Sequence, residues 1–153
     1  NINNENKDRI IQLINRTNQM NLSTNRLTEK DLNIMKKKSN IFLYCCRVED
    51  KFGDMGIVGV VIIDKDNKID TLLLSCRAFG RHIEKAMIFE SVKHNNKYPI
   101  YAEYISSNKN KMTENFYAEN GFLDSGDDNS DDFKSYTMLE SVEYDFYGQI
   151  IWS

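Results

Sequence analysis

The chain has 153 residues and a net charge of −3, and 41% of its residues are hydrophobic. This length suits one domain with one core, so we expect residues 1–153 to form a single domain. Lysines and arginines are scattered among the acids, so neither composition nor charge indicates a nucleic-acid partner. The longest apolar stretch, residues 57–63, is too short to cross a bilayer, and we expect no membrane partner.

The cysteines do not form the pattern of a secreted protein. Cys45 and Cys46 are adjacent and Cys76 is the third, an odd number without Cys-x-x-Cys spacing. Such a set indicates a reducing cytoplasm rather than a disulfide framework. Only His82 and His94 are available to join the cysteines, so we also expect no zinc or other metal site.

The first part of the chain predicts two helices and an edge strand. Apolar residues between Ile10 and Ile14 indicate a short amphipathic helix. Residues 21–27 alternate in polarity and predict an edge strand. Thr28 is a suitable N-cap for the second helix, since Asp31 follows three residues later.

Three strands with short connections follow. Residues 39–48, 57–64 and 69–75 are rich in β-branched and aromatic residues, and turn residues separate them at 49–56 and 64–68. Because these connections are far too short for crossovers, the strands should form an antiparallel meander.

After Gly80 the pattern changes from strand to helix. Residues 83–94 have helical spacing, and Pro99 opens a strand at 100–105, which should run parallel to strand 69–75. A helix at 110–120 should stop at Gly121. A short strand from 122, an acidic loop at 125–132 and a strand at 133–139 complete the chain. The sequence therefore predicts a mixed α/β (α+β) sheet flanked by helices.

The junction between strand 69–75 and helix 83–94 contains a glycine turn. Such a turn leaves backbone N–H groups free at a helix N-terminus, where the donors and the helix dipole attract phosphate. An ordinary structural turn is the alternative. The candidate phosphate-binding residues are Arg77, Ala78, Phe79, Gly80, Arg81 and His82.

Together with a second motif, this turn resembles the GNAT (GCN5-related N-acetyltransferase) superfamily. The family has an Arg/Gln-x-x-Gly-x-Gly/Ala turn, followed by an Asn, a Phe-Tyr pair and a Gly-Phe pair. Here these positions are Arg77, Gly80, Asn110, Phe116, Tyr117, Gly121 and Phe122. His82 departs from the pattern, since the family has Gly or Ala there. Its side chain either crowds the phosphate or donates a hydrogen bond to it.

The resemblance implies a cofactor and a role for several residues. The turn and Asn110 would bind the pyrophosphate arm of coenzyme A or of a protein-bound phosphopantetheine, with no metal. The strands 69–75 and 100–105 would splay apart, so that the thioester arm enters the gap. Tyr117 would protonate the departing thiolate. The alternative for Tyr117 is an aromatic core residue.

Four segments carry a closer resemblance: 17–24, 50–54, 70–77 and 102–104. They resemble the C-terminal part of FkbH-like proteins. In these a phosphatase-like domain precedes a GNAT-like domain, and the protein loads a glyceryl unit onto an acyl carrier protein in polyketide and related pathways. The chain begins at Asn1 rather than Met, so we expect such a domain upstream. The implied partner is an acyl carrier protein.

This resemblance makes Cys76 a candidate nucleophile. A helix N-terminus with Arg77 and Arg81 would raise its thiolate fraction, so that it could hold an acyl group. The alternative is a small buried hydrophobic residue. Asp70 and Glu103 begin and continue neighbouring strands as candidate bases or substrate anchors, with a structural role as their alternative.

Three functions remain open from the sequence. The first is acyl transfer from a phosphopantetheine thioester, with a carrier protein as partner. The second is an acetyl-CoA-dependent N-acetyltransferase, and the third is a non-catalytic module that docks a carrier protein.

Overall fold

The computed structural model describes residues 4–126 and 130–152. Within these residues the helices are α1 (Asn4–Arg16), α2 (Glu29–Lys36), α3 (Ile83–Asn95) and α4 (Phe116–Glu119), with a 3₁₀ turn at Lys111–Thr113. The strands are β1 (Phe42–Asp50), β2 (Gly53–Ile63), β3 (Lys68–Leu74), β4 (Ile100–Ile105), β5 (Leu123–Asp124) and β6 (Phe133–Met138). They form one sheet in the order β1-β2-β3-β4-β6-β5.

The predicted meander is confirmed. β2 pairs antiparallel with both β1 and β3. The turn between β1 and β2 is tighter than the predicted 49–56, since the strands run to Asp50 and resume at Gly53. Gly53 has a φ of 124°, which only glycine adopts readily, and this lets the chain reverse within so few residues.

Alternate residues of the central strands face two separate cores. Val60, Ile62 and Leu73 contact α1 and α2 in one cluster, whereas Val61 and Leu72 contact α3 in the other. This is the period of two that a strand imposes on its side chains. The sheet is therefore covered by α1 and α2 on one face and by α3 on the other.

The crossover from β3 through α3 to β4 produces the predicted parallel pair. Backbone pairing is limited to Lys68 with Tyr101 and Ile69 with Ala102, after which the two strands diverge. Asp70 is an extra residue on β3, because the pairing with β2 changes there in register. A bulge bends the strand that contains it, and this one lies where the strands separate. The predicted splayed pair is thus confirmed.

The predicted edge strand at 21–27 is wrong. Only Asn21 forms a β-bridge, to Leu73. Thr24 has a φ of 55°, a left-handed conformation that ends an extended segment. Thr28, in contrast, is the predicted N-cap of α2, and its hydroxyl and the Asp31 carboxylate cap each other's backbone N–H groups.

The predicted helix at 110–120 is interrupted. It consists of the 3₁₀ turn Lys111–Thr113 followed by the four-residue α4. The Thr113 hydroxyl donates to the Asn110 carbonyl at 2.7 Å, a local bond that competes with regular helix. Gly121 follows with the positive φ, 84°, expected of a helix end. Part of the predicted loop 125–132 lies outside the described residues.

Candidate functional site

The turn between β3 and α3 exposes a row of backbone donors. Ala78 and Phe79 both donate their N–H groups to the Ser75 carbonyl, at 2.9 and 3.2 Å, so these two groups are committed to the turn. None of the N–H groups of residues 80–85 makes a hydrogen bond of good geometry within residues 4–126 and 130–152. The donors sit at the positive end of the α3 dipole, a suitable place for phosphate. Of the residues predicted to bind phosphate, Ala78 and Phe79 therefore have no backbone N–H group available for it.

Gly80 and His82 both take left-handed conformations in this turn. Their φ angles are 77° and 63°. A non-glycine residue in this region costs roughly 1–2 kcal/mol, which explains why a glycine suits the position of His82. The His82 side chain is exposed and makes no capping hydrogen bond. At Gly80 a Cβ would meet nothing within 4 Å, so the space in front of the turn is open.

The two arginines of the turn have different surroundings. Arg81 Nη2 lies 2.6 Å from Asp50 Oδ2, at the end of β1. The hydrogen bond from Arg81 lowers the pKa of Asp50 below its usual value. Arg77 is exposed and has no salt-bridge partner in the described part of the chain. Arg77 is thus the arginine that is available to an anion.

The gap between the diverging strands β3 and β4 is filled by the chain itself. Leu22 N–H donates to the Leu72 carbonyl at 3.2 Å, and Leu74 N–H donates to the Met20 carbonyl at 3.0 Å. On the other side, Ile105 N–H donates to the Leu22 carbonyl at 2.8 Å. Residues 20–22 therefore satisfy the edges of both strands. The gap was expected to be open to a thioester arm, but between Leu72–Leu74 of β3 and Ile105 of β4 it is closed by residues 20–22.

Asn110 holds this filling segment in place. It is 0% exposed, and its side-chain amide donates to the carbonyls of Asn21 and Ile105, both at 2.9 Å. Its Oδ1 accepts from Ser107 N–H at 2.7 Å and from the Tyr104 hydroxyl at 3.1 Å. Every side-chain group of Asn110 is thus engaged within the protein. These bonds give Asn110 a structural role, and its predicted role in cofactor binding stays a prediction.

Tyr117 lies in the core. It is 1% exposed and its ring contacts Phe122 and Tyr136, with centroids 5.1 and 5.6 Å away. Burial raises the pKa of the Tyr117 phenol, with smaller contributions from Glu103 and Tyr136. The phenol therefore keeps its proton, as a general acid must, but it lies below the surface. Its role as acid stays a prediction.

The two candidate carboxylates have partners of their own. Glu103 Oε2 lies 2.6 Å from Lys68 Nζ on the adjacent strand. Asp70, at the bulge, accepts a hydrogen bond from the Thr71 hydroxyl at 3.0 Å. Both contacts fit the alternative interpretation, in which Glu103 and Asp70 are structural residues. Their catalytic roles stay predictions.

Cys76 is on the surface, not in the core. It is exposed at the start of the turn, so its interpretation as a small buried hydrophobic residue is wrong. It lines a cleft of about 900 Å³ on the face that carries α1. Cys46, in contrast, contacts the core, and burial raises the pKa of its thiol to about 11.

The predicted catalytic residues are therefore not gathered in one place. The cleft that contains Cys76 is lined by neither Tyr117, Glu103 nor Asp70. The sequence pattern does not predict the cations that line this cleft, Arg9, Arg16 and Lys109. Nothing in their spacing indicates that they meet, since they come from a helix and a distant loop.

Two classes of feature are not found in the described residues. None of the helices within 4–126 and 130–152 has both the length and the apolar character needed to cross a membrane. Over the same residues, no group of three or more His, Cys, Asp or Glu side chains is arranged to hold a metal ion.

Comparison with known proteins identifies the fold. No protein-family model and no curated protein sequence matches the chain. Solved structures do. Spermidine N-acetyltransferase from Vibrio cholerae, in complex with CoA and spermine, matches with a TM-score of 0.63 at 14% identity, over 90% of this chain and 92% of that chain.

Two further structures agree. The ribosomal-protein-S18-alanine N-acetyltransferase of Escherichia coli matches with a TM-score of 0.63 at 9% identity, over 99% of this chain and 96% of its own. An acetyltransferase of the GNAT family from Desulfovibrio desulfuricans matches with a TM-score of 0.58 at 12% identity, over 91% and 95%. Together with the splayed parallel pair and the glycine turn before α3, these likenesses show that the chain has the GNAT fold.

Proposed function

We propose that the chain is an acyltransferase that takes its acyl group from a phosphopantetheine thioester. The observation that carries the proposal is the row of free backbone N–H groups at residues 80–85, at the N-terminus of α3. A pyrophosphate placed there accepts several hydrogen bonds and meets the positive end of the helix dipole.

Coenzyme A is the leading donor. The similar solved structures include N-acetyltransferases, and one of them is in complex with CoA. These likenesses favour transfer of an acetyl group from CoA to an amine over the loading of a glyceryl unit onto a carrier protein. In this chain the turn would hold the CoA pyrophosphate, and the acceptor would approach at the end of β3.

A polyamine is a poor acceptor for this chain, although one of the similar structures binds spermine. The cleft at the end of β3 is lined by Arg9, Arg16, Arg77 and Lys109, and by no acid from residues 4–126 and 130–152. A polycation would be repelled there, so the amine acceptor should be neutral or part of an anionic molecule.

The exposed thiol of Cys76 favours a second candidate, transfer through the protein to an acyl carrier protein. Residues 20–22 fill the gap beside Leu72 and Leu74 and Tyr117 is buried, whereas the Cys76 thiol is exposed to a thioester that arrives from solvent. In this candidate the Cys76 thiolate attacks the thioester carbonyl, a new carbon–sulfur bond forms, and the donor thiol leaves with the proton that Cys76 released. The upstream phosphatase-like domain of FkbH-like proteins would belong to the same scheme.

A pair of variants at Gly80 tests the donor site. A side chain at Gly80 has room, and Asp and Asn both tolerate its left-handed conformation. Gly80→Asp places a negative charge in front of the donors, whereas Gly80→Asn is neutral and of equal size. We expect CoA affinity, measured by calorimetry, to fall at least about tenfold in Gly80→Asp relative to Gly80→Asn. Equal affinities in the two variants would show that no anion binds at this turn.

Labelled acetyl-CoA then distinguishes the two transfer routes. Mass spectrometry after incubation should find the label either on an added amine or on the peptide that contains Cys76. Cys76→Ser keeps the size of the side chain but weakens the nucleophile, and Cys46→Ser is the matched control. If CoA binds and neither product forms with any acceptor, the chain is the non-catalytic carrier-docking module.

A further inference from the structure

A cleft on the sheet face that carries α1 is lined by cations, and among the described residues no acid joins them in its lining. It has a volume of about 900 Å³ and lies where β3 ends, next to the filled gap. Its walls are formed by the second half of α1 and by residues 17–20, 74–77 and 108–109. Its charged lining residues are Arg9, Arg16, Arg77 and Lys109.

The charges in this cleft are not neutralised by the protein. The salt bridges of the described residues involve Lys7, Arg47, Lys65, Lys68, Arg81 and Lys134, and none of the four cleft cations. Burial, and then the guanidinium groups of Arg77 and Arg16, lower the pKa of Arg9. The three arginines are therefore close enough to repel one another, in a chain whose net charge is −3.

Arg9 is fixed in place without the help of an acid. Its Nε donates to the Ile57 carbonyl at 3.2 Å, and its Nη1 donates to Gln12 Oε1 at 2.5 Å. A guanidinium has five N–H donors, so Arg9 retains donors for a ligand. An anion that accepts them would relieve the repulsion among the arginines at the same time.

Further donors line the same space. The backbone N–H groups of Cys76 and Arg77 have no acceptor within 4–126 and 130–152. Exposed amide side chains come from Gln19 and Asn108. Several guanidinium groups with backbone and amide donors suit a compact anion with two charges and several acceptor oxygens, which is phosphate rather than a singly charged carboxylate.

We propose that this cleft binds the phosphate group of a phosphorylated ligand beside the Cys76 thiol. The site is distinct from the α3 turn, since α1 and α3 cover opposite faces of the sheet. The proposal rests on the proposed acyl transfer and names its substrate class. The phosphate belongs either to a small phosphorylated acyl donor or acceptor, or to the phosphopantetheine arm of a partner.

The test uses two double variants with the same change of charge. Arg16→Gln with Lys109→Gln removes two cleft cations whose side chains are exposed and make no described hydrogen bond or salt bridge. Lys37→Gln with Lys38→Gln removes two exposed cations at the end of α2, outside the cleft. Both are made in the Gly80→Asp background, so that binding at the α3 turn does not contribute.

The probes are inorganic phosphate, phosphopantetheine and pantetheine, titrated by calorimetry. We expect phosphate to bind, with affinity about tenfold weaker in the cleft variant and unchanged in the α2 variant. Phosphopantetheine binding more tightly than phosphate, with the same loss, identifies the carrier arm as the source. Equal affinities for the two identify a small phosphate ester.

Two results would overturn the inference. One is equal phosphate affinity in the cleft and α2 variants, and the other is no phosphate binding in the Gly80→Asp background. If CoA still binds the otherwise unchanged protein through the α3 turn, the proposed function survives either result. If CoA does not bind at the α3 turn but phosphate still binds in the cleft, the proposed function is wrong and the inference about the cleft stands.

Discussion

Replacing Asn110 with alanine should destabilise the fold and do nothing specific to cofactor binding. The substitution removes the donors to the carbonyls of Asn21 and Ile105 and the acceptor for Ser107 N–H. Tyr104 keeps the Asn110 carbonyl as partner at 3.2 Å. Each buried group left without a partner costs about 1–3 kcal/mol. Three groups lose their partner, and two of the three bonds are only partly buried. We therefore expect the free energy of unfolding to fall by about 3–5 kcal/mol, in the lower part of the range for three groups.

Urea denaturation measures this loss, and Asn108→Ala is the matched control. Asn108 is exposed on the same loop, so its replacement should change the unfolding free energy by less than about 0.5 kcal/mol. If Asn110→Ala does not fold while Asn108→Ala does, that result itself supports the structural role. Normal stability together with weakened CoA binding in Asn110→Ala would refute the structural role and restore the cofactor role.

Three further predictions concern stability. Thr28→Ala should lower the free energy of unfolding in urea by about 1 kcal/mol. The hydrogen bonds from Thr28 lower the pKa of Asp31. Their contribution to stability is therefore fully present above the pKa of Asp31 in the unfolded chain and is lost as the pH falls through its pKa in the folded protein. A cost that does not shrink in acid would contradict the hydrogen bond from the Thr28 hydroxyl to the Asp31 carboxylate. Gly59→Ala should cost about 1–3 kcal/mol, since its Cβ would lie within 3 Å of Met87; an unchanged thermal midpoint would show that Met87 moves freely. His82→Gly should gain about 1 kcal/mol by relieving a φ of 63°, and a loss of stability would mean that the His82 side chain makes a stabilising contact.

The parts of the fold that depend on local pattern could be predicted from the sequence. The meander, helix α3 and the parallel strand β4 follow from the change from alternating to helical spacing after Gly80. The turn before α3 was predicted from one glycine at a strand-to-helix junction. The edge strand at 21–27 failed because alternation of polarity does not reveal the left-handed residue Thr24.

The features that depend on contacts between distant residues could not be predicted. The filled gap joins residues 20–22 to Leu72 and Ile105, and Asn110 reaches Asn21 across most of the sequence. The motif around Asn110 pointed to a cofactor, whereas its environment is a hydrogen-bond network inside the protein. Likewise, cations scattered along an acidic sequence form a cleft only after α1 and the loop at 108–109 come together.

CoA binding at the α3 turn is tested most directly by titrating the isotope-labelled protein with CoA and following its amide proton–nitrogen correlation spectrum. We expect the signals of residues 80–85 to shift first and most, because their N–H groups are available to the pyrophosphate. Signals of Leu22 and Leu74 report at the same time whether the filled gap opens. Binding of CoA that leaves the signals of residues 80–85 in place, or no binding at all, would contradict the proposed donor site.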